Sequence, residues 1–165
     1  METEDRPSWA RLTWDQTWMS MAEAIAGRSW CSRGGVGAVI VDPRNRIVAV
    51  GYTAPPANYP EMGPCRTFCE RAIHGPQADT LLSYSDCVSI HAEANALLVC
   101  DRADRLGGTI YTTSDVCWNC AKLIANSGLK RVVARDTQHE HRNPQHSYDL
   151  LCRCDIAVNL IGSKA

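Results

Sequence analysis

The chain contains a single phenylalanine in 165 residues, and aromatic side chains are only 7% of the total. A core of stacked rings is therefore excluded, and aliphatic and small side chains must fill the interior. No apolar run approaches the roughly 20 residues that cross a bilayer, so no membrane helix is expected. The segment Met1 to Arg11 is polar and charged, so no secretory signal is expected there. Neither sign of charge dominates, since 17 basic residues meet 18 acidic ones for a net charge of −1. Proteins that grip phosphate backbones are usually strongly basic, so polymeric nucleic acid is not an expected partner. Repeats, heptads and Gly-X-Y periods are missing too. With 45% hydrophobic and 21% charged residues, the mix is that of a soluble globular protein.

Cysteine, in contrast, is abundant. There are nine, at positions 31, 65, 69, 87, 100, 117, 120, 152 and 154. The count is odd and no export signal is expected, so this usage points to metal or catalysis before disulfides. Some of the nine are expected to be small buried hydrophobes, with Cys100, Cys152 and Cys154 as candidates.

Residues 1–13 read as a tail, and 14–165 as one domain. Asp15 is placed to cap a helix that runs to Ala26. Val36 to Val41 and Ile47 to Tyr52 read as strands of a hairpin, joined by a turn at Asp42-Pro43-Arg44-Asn45. The prolines of 54–63 predict loop, and 64–89 is the least regular stretch. A helix is predicted over Ile90–Ala103, with Ala92, Ala96 and Val99 on one face. A strand follows at 109–113, a helix at 117–126, a strand at 130–134, a polar loop with three histidines at 137–147, a short helix at 148–153 and a strand at 156–161. A hairpin followed by alternating helices and strands predicts an α/β fold. The expected form is a three-layer α/β/α sandwich around a mixed five-stranded sheet.

The sharpest feature is His91-Ala92-Glu93, followed by Cys117-Trp118-Asn119-Cys120. His, Cys and Cys suit Zn²⁺, and three protein ligands leave a fourth position open, as catalytic zinc requires. Both triplets begin predicted helices, where backbone N–H groups favour the ligating thiolate. Glu93 is placed to move a proton between an activated water and a leaving nitrogen without itself being a ligand. The plainer readings are a redox pair or half a zinc knuckle for the cysteines, and a core histidine for His91.

This H-x-E and C-x-x-C pairing is the signature of zinc deaminases. The chain resembles the cytidine deaminase superfamily, and within it the deoxycytidylate (dCMP) deaminases of the bacterial and phage type. The resemblance is carried by Trp14-Asp15 with Met19, Arg28-Ser29, Cys31, Val36 to Val41, Gly51-Tyr52, His91 to Ala96, Cys120-Ala121-Lys122 and Ser127-Gly128. It spans residues 12–161. It implies deamination of dCMP to dUMP, or of a 5-modified dCMP, in pyrimidine deoxynucleotide metabolism. It also implies a cytoplasmic homo-oligomer, hexamer or dimer, in a bacterium or the host of a phage. Nucleotide effectors, dCTP and dTTP, with accompanying Mg²⁺, belong to the same expectation. The other classes in view are a deaminase of bases within RNA or DNA and a catalytically silent zinc scaffold.

Four departures from the family pattern bear on detail. Val116 replaces a proline, Asp115 replaces a serine, the linker from Glu93 to Cys117 is short, and Thr53-Ala54 replaces Asn-Gly. Beside the metal, Asp115 reads either as a contact to an exocyclic amine or a modified base, or as a solvated helix cap. The resemblance places phosphate contacts at Arg28 and Ser29, and Arg28 offers the planar fork that phosphate favours. Thr53 stands in the nucleotide motif. Asn95 is a candidate contact to base or sugar. Arg102 is a candidate for an effector site or a subunit interface.

Cys31, Cys65, Cys69 and Cys87 remain after the catalytic site is assigned. Similar members of the family carry a second, structural zinc nearby. Four thiolates would close a tetrahedral site and pin the irregular 54–90 segment. His74 is an alternative ligand to one thiol, and scattered buried cysteine is the alternative to the site. Trp118 reads as a pocket wall or a subunit contact. His139, His141 and His146 read as a solvated loop or as phosphate or metal contacts.

Overall fold

The computed structural model describes residues 10–31, 34–59, 87–137 and 144–162. Within them five strands form one mixed sheet. They are β1 (Gly37–Val41), β2 (Ile47–Tyr52), β3 (Thr109–Thr112), β4 (Arg131–Asp136) and β5 (Ala157–Gly162), in the order β2-β1-β3-β4-β5. β1 runs antiparallel to β2 and β3, while β3, β4 and β5 are parallel. The hairpin turn is fixed by Asp42, whose carboxylate accepts from the Arg44 and Arg46 backbone N–H groups at 2.9 Å each. Asn45 takes the left-handed conformation there, at φ 59°.

The alternation of strand side chains decides the layers. Val39, Val41, Tyr111 and Val133 pack against Trp18, Met19 and Ala22 of helix α1 (Trp14–Ala26). Ala38, Ile40, Ile110, Val132 and Ala134 face the other way. They meet helices α2 (Ala92–Leu98), α4 (Trp118–Ala125) and α5 (Pro144–Arg153). The expected α/β/α sandwich is therefore present, with one helix on one face and three on the other. The lone phenylalanine, Phe68, lies outside the described residues, and the larger cluster is built mostly from Ala, Ile, Val and Leu.

Gly51 sets how closely α2 approaches the sheet. A Cβ there would lie 2.2 Å from the Ala92 carbonyl oxygen and 2.4 Å from the Ala96 nitrogen. Ala92 and Ala96, whose backbone makes this approach, are both fully buried. Asn95 adds a tie, its amide donating to the Tyr52 carbonyl at 2.8 Å.

Three local expectations change. Thr13, rather than Asp15, caps α1. Its hydroxyl accepts from Gln16 N–H, and the Gln16 side chain accepts from Thr13 N–H, a complete capping box. The helix expected over 90–103 is two helices, α2 and the four-residue α3 (Arg102–Arg105), with Asp101 extended between them. Val99, expected on one face with Ala92 and Ala96, is 72% exposed while those two are fully buried. The break is held by Arg105, whose guanidinium donates to the Leu97, Cys100 and Ser127 carbonyls. The loop expected at 137–147 yields to helix from Pro144 onward. Proline suits the first helical turn, because its missing N–H has no partner to lose there. Cys100 is buried as expected, although it sits between helices. Cys152 and Cys154 are exposed rather than packed.

Candidate active site

The ends of five elements converge at one end of the sheet. β1 enters there at Gly37, paired with Tyr52 at the end of β2. Thr112 at the end of β3 pairs with Ala38 on one side and with Ala134 on the other. His91 is the N-cap of α2 and Cys117 the N-cap of α4. Both are extended, and neither side chain makes a capping hydrogen bond. Their ligating atoms are left facing each other.

Cys117 Sγ lies 3.3 Å and Cys120 Sγ 3.5 Å from His91 Nδ1. All three ligand atoms fall within 4.8 Å of one another, the one such His/Cys/Asp/Glu group among the described residues. A tetrahedral zinc with ordinary bond lengths separates a nitrogen from a sulfur ligand by about 3.6 Å. The residues therefore fit that ion in both chemistry and spacing.

The charges point the same way. The hydrogen bond from Cys120, and then His91, push the Cys117 thiol well down from its ordinary value. Cys120 is pushed up, chiefly because it supplies that hydrogen bond, and further by burial and the nearby Glu93. Two thiols sharing one proton are relieved by a divalent cation, which takes both as thiolates.

Glu93 lies in the first turn of α2, buried beneath the cysteines. Its Oε1 accepts from the Thr112 hydroxyl at 3.0 Å, and its Oε2 lies 3.6 Å from Cys120 Sγ. Burial holds its carboxyl above the ordinary carboxylate range. One oxygen is thus anchored and the other faces the ligand cluster. That suits a group that moves a proton rather than one that ligates.

The other candidates take definite positions. Ser29 donates to the Thr53 carbonyl at 2.8 Å and accepts from Cys31 N–H at 3.2 Å. Thr53 is buried, and Arg28 is exposed just beyond α1. Gly37 packs against the last turn of α1, so Arg28, Ser29, Thr53 and Asn95 lie at the same end of the sheet as the ligand triad. Asp115 is not the solvated helix cap that was one of its two readings, since it is 2% exposed. Its two oxygens accept from the Tyr148 hydroxyl at 3.1 Å and from the Thr137 hydroxyl. Arg102 donates to the Asn126 carbonyl at 2.9 Å and so closes the C-terminus of α4. Trp118 stacks on His146, ring centroids 4.2 Å apart. Cys31 and Cys87 are partly buried, whereas Cys65, Cys69, His74, His139 and His141 lie outside the described residues.

Sequence reasoning missed Thr112, Thr137 and Tyr148. Thr112 carried a signal, since it follows Ile110 by two on a strand and so shares its inward face. Thr137 and Tyr148 carried none, because their partner lies more than 20 residues away.

A His-Cys-Cys cluster at two helix starts, with a buried carboxylate beside it and a mixed sheet beneath, defines the zinc-deaminase class of fold and site. Residues 12–135 match the family model described as the cytidine and deoxycytidylate deaminase zinc-binding region, and the chain belongs to that family. It is 43% identical over 124 residues to the deoxycytidylate deaminase of Mycobacterium phage D29, covering 75% of this chain and 95% of that one. To a probable deoxycytidylate deaminase of Drosophila melanogaster it is 37% identical over 123 residues, 74% of this chain but only 59% of that longer protein. The dCMP deaminase of cyanophage S-TIM5, solved in complex with dCMP and dUMP, superposes with a TM-score of 0.65 at 25% identity. That match covers 88% of this chain and 94% of that one.

Proposed function

We propose that the chain is a zinc-dependent deoxycytidylate deaminase, converting dCMP and water to dUMP and ammonia. The observation that carries this reading is Glu93, anchored at Oε1 by Thr112 and facing the His91-Cys117-Cys120 cluster through Oε2. The substrate is supported by the phage relative and by the cyanophage enzyme seen with dCMP and dUMP. Zinc would be held by His91, Cys117 and Cys120, and it would supply the Lewis acidity that makes hydroxide available near neutral pH. Glu93 takes the proton of the attacking water at Oε2 and delivers it to the departing amine. The bond from C4 to oxygen forms, the bond from C4 to nitrogen breaks, and the water's other proton ends on N3 of the uracil. Thr112 keeps the carboxylate from swinging away between the two transfers.

Arg28 and Ser29 are assigned to the phosphate, and Thr53 and Asn95 to the sugar and base side of the pocket. Their shared position at the triad's end of the sheet supports this. A second, structural zinc is assigned to Cys31, Cys65, Cys69 and Cys87. Trp30 N–H bonds to the Thr53 carbonyl and Ile90 pairs with Ala54, which brings the segments carrying Cys31 and Cys87 to the same two neighbouring residues. Regulation by dCTP and dTTP with Mg²⁺, a homo-oligomeric state (hexamer or dimer), a place in pyrimidine deoxynucleotide synthesis and a cytoplasmic setting complete the proposal. Among the described residues no helix is long and apolar enough to cross a membrane.

Ammonia release from dCMP, deoxycytidine and a cytosine-containing oligonucleotide tests the substrate. dCMP is expected to lead by a wide margin in kcat/KM. Arg28→Ala is expected to lower that value about 10- to 150-fold for dCMP alone, the worth of one charge-assisted phosphate contact. Equal rates on dCMP and deoxycytidine would refute the assignment.

A further inference from the structure

Residues 113–117 lead from β3 to the first cysteine of the cluster. No proline lies in this stretch to fix its backbone. Cys117, at its end, is extended and makes no side-chain cap to α4. A ligand on such a loop keeps its place only if its neighbours are held from outside.

Helix α5 does so on both sides of Cys117. Two residues before it, Asp115 is buried, with its carboxylate accepting from the Tyr148 hydroxyl of α5 at 3.1 Å and from Thr137 after β4. One residue after it, Trp118 stacks on His146 of the same helix at 4.2 Å, with planes 15° apart. His146 and Tyr148 are only two residues apart, so a single turn of α5 grips the loop at both flanks. Tyr148 is itself 6% exposed, so its hydroxyl has this carboxylate in place of water.

We propose that Tyr148 and Asp115 are positioning residues for the metal site, a clamp through which α5 holds Cys117 in ligating geometry. The inference rests on reading the triad as a zinc site and adds the elements that keep it formed. Their effect reaches the reaction through the rigidity of the ligand loop.

Zinc release to a chelator, followed together with thermal stability and steady-state kinetics, tests the clamp. Tyr148→Phe keeps the ring and deletes only the hydroxyl. It is expected to speed zinc release about tenfold and to lower kcat while KM stays near the wild-type value. Thr137→Val, which removes the other hydroxyl, is expected to act in the same direction. Asp115→Ala combined with Tyr148→Phe is expected to be no worse than Asp115→Ala alone, since Asp115→Ala already removes the contact that Tyr148→Phe removes. Ser147→Ala changes a buried hydroxyl on the same helix that has no partner among the described residues, and it is expected to release zinc as wild type does. Variants that lose thermal stability but release zinc at the wild-type rate would overturn the clamp. Purified wild-type protein that binds no zinc would overturn the site reading itself, and the clamp with it.

Discussion

At the scale of single residues, the carboxylate of Glu93 is controlled by a hydroxyl. Thr112 is fully buried, and its one hydrogen bond along the site goes to Glu93 Oε1. Replacing it with valine keeps the shape and removes the donor, leaving a buried carboxylate oxygen unsatisfied. Such a loss falls on the reacting geometry and not on substrate contact. Thr112→Val is therefore expected to lower kcat about tenfold with KM changed little, zinc content intact, and Thr112→Ser to restore most of the rate. Stopped assays on the three proteins, with zinc measured in parallel, check this. An equal rise in KM with unchanged kcat would place Thr112 against the substrate instead.

At the scale of elements, α1 is fastened to the sheet by charge as well as by packing. Asp15 binds Arg131 through two hydrogen bonds of 2.7 and 2.8 Å and accepts from the Tyr111 hydroxyl at 2.8 Å. Glu23, two turns on, pairs with Arg135 of the same strand. The Arg131 hydrogen bonds, with help from Tyr111, hold the Asp15 carboxyl below the ordinary carboxylate range. A depressed value in the folded state means that the unfolded chain takes up the proton more readily. The contribution is therefore full above the unfolded value, near 4, and is lost as pH falls through the folded one. Asp15→Asn is expected to cost about 1 kcal/mol at neutral pH, the pair being partly exposed. The stabilities of variant and wild type are expected to converge as pH drops below about 4, as read by urea unfolding. Curves that stay parallel down to pH 3 would show that this pair does not carry the acid sensitivity.

At the scale of the whole molecule, the legible parts were those written locally. The hairpin was visible because Asp42, Pro43 and Asn45 encode its turn within four residues. The catalytic cluster was visible because its spacing repeats a chemical requirement, with His91 and Cys117 each opening a helix. Where a distant partner decides, local reading failed. Asp15 looks like a cap, yet Arg131, 116 residues away, takes its carboxylate. The helix at 90–103 looks continuous, yet Arg105 folds back on the Leu97 and Cys100 carbonyls and closes α2 early. One reading of Asp115 was a solvated cap, yet it is buried and bonded to Tyr148 and Thr137.

The central claim, that this sheet end is a zinc-dependent deamination site for dCMP, is tested most directly by one conversion. dCMP is incubated with metal-stripped protein, with the same protein reloaded with one equivalent of zinc per triad, and with zinc-loaded Glu93→Gln, and dUMP is quantified. The account predicts no product from the stripped protein, full turnover on reloading, and a loss of at least about 10²- to 10⁴-fold for Glu93→Gln at unchanged zinc content. Turnover that survives metal removal, or a Glu93→Gln protein that keeps its rate, would contradict it.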